Sequence, residues 1–156
     1  MPIILVIFLF FVSCGYKKVD FNQKNLKICV DDIIINSPQP TLLDTLNKHI
    51  LDSIIATKNK LDCSYKKNID MKITVLNFSF YPIGYSRAQR ANVYKVRIRL
   101  KVEIFDKEGN LIKQEEITET TQYFGTGLRA DIEKRYAVEE LAKLLQIRIF
   151  DILMRL

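Results

Sequence analysis

From Tyr94 to Phe105 the chain alternates without a break: Tyr94, Val96, Ile98, Leu100, Val102 and Ile104 take one side, while Lys95, Arg97, Arg99, Lys101 and Glu103 take the other. A period of two belongs to a strand, and one this regular has an apolar face against a core and a wet face outside. The turn Asp106-Lys107-Glu108-Gly109-Asn110 then leads into Leu111 to Phe124, which makes a hairpin. With Phe105 opposite Leu111, the register sets Glu103 by Lys113, Lys101 by Glu115 and Arg97 by Glu119. Such pairs stabilise a hairpin by roughly 0.2 to 1 kcal/mol each. The wet face is therefore expected to be self-paired rather than a ligand surface.

The other segments supply what covers the apolar face. Leu26 to Ile35 reads as a strand, closed by Asn36-Ser37-Pro38-Gln39-Pro40. Thr41 then suits an N-cap, with Asp44 reaching back in a variant of the capping box, and Leu42, Leu46, Ile50 and Ile54 form one stripe of a helix running to about Thr57. Lys58 to Asn68 is a polar connection with room for a short edge strand. In Met71 to Tyr81 the apolar phase switches between Val75 and Leu76, which points to a bulge or to a change of buried face. Asp131 to Leu156 is a long helix with Val138, Leu141, Leu145, Ile149, Ile152 and Leu156 on one side. This order predicts an α+β sandwich, two helices packed on one face of a mixed, about four-stranded sheet, with Leu46, Ile50, Leu100, Val102, Leu141 and Leu145 in the core.

The N-terminus carries a different message. The apolar run from Pro2 to Val12 is too short to span a bilayer and suits the hydrophobic region of an export signal. It ends in Val12-Ser13-Cys14-Gly15, which resembles a bacterial lipobox, in which the cysteine thiol receives a diacylglycerol. The expected division is a signal peptide over 1–13, lipidated Cys14 and a polar tether over 14–25, and one domain over 26–156. No basic residue precedes the run, which points to a start upstream of Met1. The alternative is a buried N-terminal element with an incidental thiol.

All 24 Lys and Arg and all 18 Asp and Glu lie beyond that run, so the balance of +6 belongs to the domain and favours anionic partners. Nucleic acid, phosphorylated glycolipid and acidic protein qualify, and export removes most of the case for nucleic acid. If Cys14 is acylated, Cys29 and Cys63 remain as a pair in an oxidising compartment, where a disulfide and two buried free thiols are both open.

Nothing in the chain demands catalysis, a metal or a cofactor. The single histidine, His49, is expected on the flank of its helix, without the second histidine a zinc site would want. A thiol nucleophile would need it beside Cys29 or Cys63. Gly125-Thr126-Gly127 lacks the Lys or Ser of a phosphate loop, and Glu115, Glu116 and Glu119 are explained as strand partners. The contact region favoured by length is Pro82 to Val93, read as a loop far longer than a hairpin needs, carrying Arg87 and Arg90. A solvated loop is the equal alternative, and Tyr85 and Tyr94 either meet sugar or finish the core.

Taken together, the lipobox running into Cys14-Gly15-Tyr16, the Asn-Ser-Pro loop with its Thr-Leu-Leu helix opening, Asp70-Met71-Lys72-Ile73 leading to Tyr81-Pro82, Tyr85-Ser86, Tyr94-Lys95-Val96, the Asp-Lys-Glu-Gly-Asn turn and Ala137-Val138-Glu139-Glu140-Leu141-Ala142 resemble the lipopolysaccharide-assembly lipoprotein (LptE) family. That resemblance implies an outer-membrane lipoprotein, lipid-anchored and facing the periplasm or the barrel lumen. Such a protein plugs and helps assemble the β-barrel that delivers lipopolysaccharide, and it binds lipopolysaccharide on the way. Two other roles stay open: an adaptor of another envelope assembly machine, and a small-ligand carrier with an apolar pocket between helices and sheet.

Overall fold

The computed structural model describes residues 25–35, 40–125 and 127–156. The signal run, Cys14 and the tether lie outside them. Strand β1 (Lys27–Ile35) leads to helix α1 (Pro40–Ala56), a two-residue strand β2 (Lys60–Leu61), and the long strands β3 (Ile69–Tyr85), β4 (Ala91–Asp106) and β5 (Leu111–Phe124). A 3₁₀ turn (Gly127–Arg129) then opens helix α2 (Ala130–Met154). The sheet order is β2-β1-β3-β4-β5, parallel across β2-β1-β3 and antiparallel from β3 to β5.

The class is the expected α+β one, with two helices on a mixed sheet, and the sheet has five strands because the polar connection after α1 contributes β2. One core joins them. Leu42, Leu46, Ile50 and Ile54 of α1 and Leu141, Leu145, Ile149 and Ile152 of α2 are buried with Met71, Ile73, Ile98, Leu100, Val102 and Ile104 of the sheet. Among the described residues no helix is long and apolar enough to cross a membrane.

Helix α1 begins one residue earlier than its sequence predicts. Pro40 takes the first helical position, where a missing N–H is no loss, so Thr41 lies inside the first turn and is not the N-cap. Its carbonyl accepts from the Thr45 hydroxyl at 2.8 Å.

Register shifts at three places along β3, β4 and β5 decide which side chains are available outside. At the first, Val75 pairs with Leu100 and Asn77 with Arg99, so Leu76 is an extra residue. The bulge keeps Phe78 and Phe80 on the core side, opposite Ile98 and Val96, and the buried face does not change. The second, a pair of shifts around Gly84, lets β3 and β4 stay paired as far as Tyr85 and Ala91. The stretch Pro82 to Val93 is therefore a ladder and not a long loop. Only Ser86 to Arg90 turns, closed by Ser86 N–H to the Arg90 carbonyl and Gln89 N–H to the Ser86 carbonyl, both 2.9 Å.

The third shift overturns the predicted charge pairing. Phe105 does pair with Leu111, but Ile104 pairs with Lys113, so Ile112 is an extra residue and the rest of the hairpin slips by one. A slip of one residue moves each side chain to the other face. Lys101 now faces Glu116, Glu103 faces Gln114, and Arg97 faces Thr120. Glu115 and Glu119 sit instead opposite Val102 and Ile98, on the side covered by α2.

Cys29 of β1 and Cys63, just after β2, form a disulfide with Cα atoms 4.6 Å apart. It ties the edge of the sheet to the connection leading into β3.

Candidate anion-binding face

The open face of the sheet is centred on β4. Arg97 and Arg99 are exposed there, two residues apart on one strand and so about 7 Å apart at their roots. Arg97 lies between Ser79 of β3 and Thr120 of β5, and Arg99 between Asn77 and Thr118. Lys95 lies between Tyr81 and Gln122. All six neighbours are neutral. Among the described residues, Lys95, Arg97 and Arg99 have no carboxylate within ion-pair distance.

The carboxylates expected to neutralise this face are engaged elsewhere. Glu119 accepts from Arg148 Nε at 2.7 Å, and Glu115 meets Lys113 at 3.1 Å and Arg155 at 3.5 Å, all on the helix side. At the far end of the open face Lys101 is paired with Glu103 at 3.0 Å. The net result is a cationic patch with hydroxyl and amide groups around it. Guanidinium forks donate bidentately to phosphate or carboxylate, and neighbouring hydroxyls supply further donors.

Arg87 and Arg90, the residues favoured from sequence, are exposed at the tip of the β3–β4 hairpin. They belong to the same projection as Lys95, Arg97 and Arg99, with Arg90 about 30 Å from Arg99 along an extended strand. Tyr94 finishes the core: its ring stacks on Tyr123 at 5.3 Å, Tyr123 meets Phe80 edge-on at 6.4 Å, and Lys134 of α2 lies over Phe80 at 4.4 Å. Gly125 permits this, because a Cβ there would overlap the Tyr94 ring. Tyr85 remains exposed.

His49 is not a flank residue. It is 5 % exposed and links the two helices, with Nε2 2.9 Å from Glu139 Oε1 and Nδ1 2.7 Å from Gln146 Oε1. The hydrogen bond from His49 holds the Glu139 carboxyl below its ordinary range, assisted by Lys48. Sequence spacing had put His49 next to the stripe residue Ile50, but only the parallel packing of α1 against α2 makes that position internal.

Cys29 comes near Asp31 and Asp70, a grouping with metal-ligand character, but its sulfur is bonded to Cys63 and offers no thiolate. A groove of about 720 Å³ runs between the first turns of α1 and α2, lined among the described residues by the two helices, with Asp44 and Asp131 set against Lys134 and Arg135. It lies outside the helix–sheet core, and not between helices and sheet where a carrier's pocket was expected.

No protein-family model matches the chain, and no curated protein matches it in sequence. Solved structures do match in shape. Rare lipoprotein B from Shewanella oneidensis superposes with a TM-score of 0.59 at 10% identity, covering 81% of this chain and 93% of that one. A hypothetical protein from Chlamydia trachomatis gives 0.57 at 10% identity, covering 83% and 96%. An uncharacterized lipoprotein B from Nitrosomonas europaea gives 0.52 at 11% identity, covering 80% of each chain. At such identities the likeness is one of fold, and the fold of this chain is one found in bacterial lipoproteins.

Proposed function

We propose that the chain is an outer-membrane lipoprotein, anchored through an acylated Cys14, that plugs and helps assemble the β-barrel delivering lipopolysaccharide and binds lipopolysaccharide on its way to the outer leaflet. It works as a binding and scaffolding protein, with no catalytic centre and no nucleic-acid partner. The lipobox-like Val12-Ser13-Cys14-Gly15 supports the anchor, since several acyl chains hold a soluble domain on a membrane where one does not. The shared fold supports the class.

The observation that carries the binding role is the unpaired state of Arg97 and Arg99 among neutral neighbours. Two arginines with no carboxylate beside them at the centre of a sheet face are free to take an anion, and the phosphates of a glycolipid suit their forked donors. Arg87 and Arg90 at the hairpin tip extend the same surface.

The test is detergent extraction of the membrane followed by pull-down through a C-terminal tag. Co-purification of a large barrel together with lipopolysaccharide supports the plug. Recovery of a periplasmic protein alone would favour an adaptor of another assembly machine. Cys14→Ala should remain unprocessed or become soluble, and recovery of that variant at mature mass in salt-washed membranes would remove the anchor.

A further inference from the structure

The basic face accounts for the middle of the sheet. Its β1 edge presents a different chemistry. Leu26 and Ile28 direct their carbonyls outward to β2, accepting from Lys60 N–H at 2.9 Å and Asp62 N–H at 3.0 Å. There β2 stops, having paired only with Lys27 and Ile28. The disulfide pins Cys63 to Cys29, and the chain is turned away by Ser64 N–H to Asp62 Oδ1 at 2.9 Å and Lys67 N–H to the Ser64 carbonyl at 3.0 Å. It re-enters on the opposite side, where Asn68 N–H reaches the Lys27 carbonyl at 2.8 Å.

The remaining length of β1, from Val30 to Ile35, is paired with β3 and has no partner on its outer side among the described residues. An open edge is a template for another strand. Beside it lies a groove of about 270 Å³ between β1, α1 and β2, lined by Val30, Ile33, Leu43, Leu51, Leu61 and the disulfide sulfur-bearing Cys63. Leu61 is 52 % exposed and Leu43 37 %, which leaves apolar surface uncovered along the edge.

We propose that this edge is a strand-addition site for an extended polypeptide of another protein, with apolar side chains at alternate positions and a basic side chain facing Asp31. Two independent features select that occupant. Unpaired strand N–H and C=O groups need a backbone at strand spacing, which a lipid or sugar lacks, and the groove takes every second side chain of an added strand. Asp31 is the extra residue at the β1 register shift and is exposed, and Lys67, the cation whose charge it feels, is held by Asp70 at 2.7 Å, so a carboxylate is left at the edge to take a basic side chain. A second copy is a poor occupant, because pairing through the same stretch would bring two Asp31 carboxylates close together.

The test uses the full processed chain in detergent and a synthetic peptide alternating valine and lysine, long enough to pair with Val30 to Ile35. Hydrogen exchange reads the site. The peptide should slow exchange of amides within Val30 to Ile35 and leave β5, the other edge, unchanged. Leu43→Asp and Leu61→Asp should each weaken binding by about tenfold or more while exchange elsewhere stays at wild-type rates. The same peptide N-methylated at alternate residues keeps its side chains but cannot pair, and it should give no protection. Equal binding by the N-methylated peptide, protection confined to β5, or no protection by the parent peptide overturns the proposal.

Discussion

Arg148 of α2 donates through Nε to Glu119 of β5 at 2.7 Å, and this contact exists because the β4–β5 hairpin has slipped by one residue at Ile112. In the register that sequence alone predicts, Glu119 would lie beside Arg97 on the opposite face. A charge-swap cycle separates the two geometries. Glu119→Arg should lower the denaturation midpoint, and adding Arg148→Glu should restore most of the loss. Adding Arg97→Glu instead should restore none, and rescue by Arg97→Glu would return the hairpin to its in-register form.

The same slip reverses an expectation about stability. Arg97 has only neutral neighbours, so Arg97→Ala should change unfolding free energy by about 0.5 kcal/mol or less, as other exposed sites do. Leu100→Ala, three residues further along and inside the core, should cost about 2 to 5 kcal/mol. Denaturant titrations of both variants check this, and comparable midpoints would mean that the two faces of β4 are misassigned.

Part of the acid sensitivity is traceable to Glu139 and Asp62. The hydrogen bond from His49 depresses the folded-state pKa of Glu139, and bonds from Ser64 and Lys27 bring that of Asp62 down to about 2. A depressed carboxylate stabilises the fold above its ordinary value, and that contribution is lost as pH falls through the folded value. For Glu139 the loss therefore begins below about 4.5, and for Asp62 it runs from about 3.8 to about 2. Glu139→Gln should flatten the upper part of the acid limb in a midpoint-against-pH series and Asp62→Asn the lower part. Unchanged limbs in both variants would contradict these assignments.

The Cys29–Cys63 bond closes a loop of 34 residues in sequence separation, which in the chain-entropy picture stabilises by about 3 to 4 kcal/mol. Reduction, or the double change Cys29→Ala with Cys63→Ala, should lower Tm accordingly while leaving the helix content of the folded state intact. A wild-type Tm for the double variant would mean that the two thiols are not bridged in the protein.

Much of this architecture is legible from periodicity, because side-chain alternation and the four-residue stripes of α1 and α2 are local consequences of burial. Even the Leu76 bulge announces itself, since the apolar phase switches while the core face stays the same. The Ile112 bulge is marked only at a distance: Leu111 and Ile112 both lie exposed at the hairpin end, and the signal is Ile117, buried opposite Leu100, which the unslipped register would set opposite Arg99 on the wet face. That one extra residue moves Glu115 and Glu119 across the sheet, brings Glu116 opposite Lys101, and leaves Arg97 and Arg99 among neutral neighbours. The extension of β3 through Pro82 was hidden for a related reason: proline and glycine signal a loop, yet here the shifts around Gly84 accommodate them within the ladder. His49 was legible as a helix residue but not as a buried link, because its partners Glu139 and Gln146 lie about 90 or more residues away on a helix whose direction relative to α1 no local pattern gives.

The central claim is that the open sheet face carries an anion site built on Arg97 and Arg99 and extended by Arg87 and Arg90. Its most direct measurement is binding of purified lipopolysaccharide to the chain lacking residues 1–14, at low and high salt, for wild type, Arg97→Glu with Arg99→Glu, and Arg87→Glu with Arg90→Glu. The face variant should lose binding most, the tip variant should lose a smaller part, and both losses should be larger at low salt, where screening is weak. Thermal stability of all three should agree closely. Wild-type affinity retained by the face variant at both salt concentrations would contradict the account.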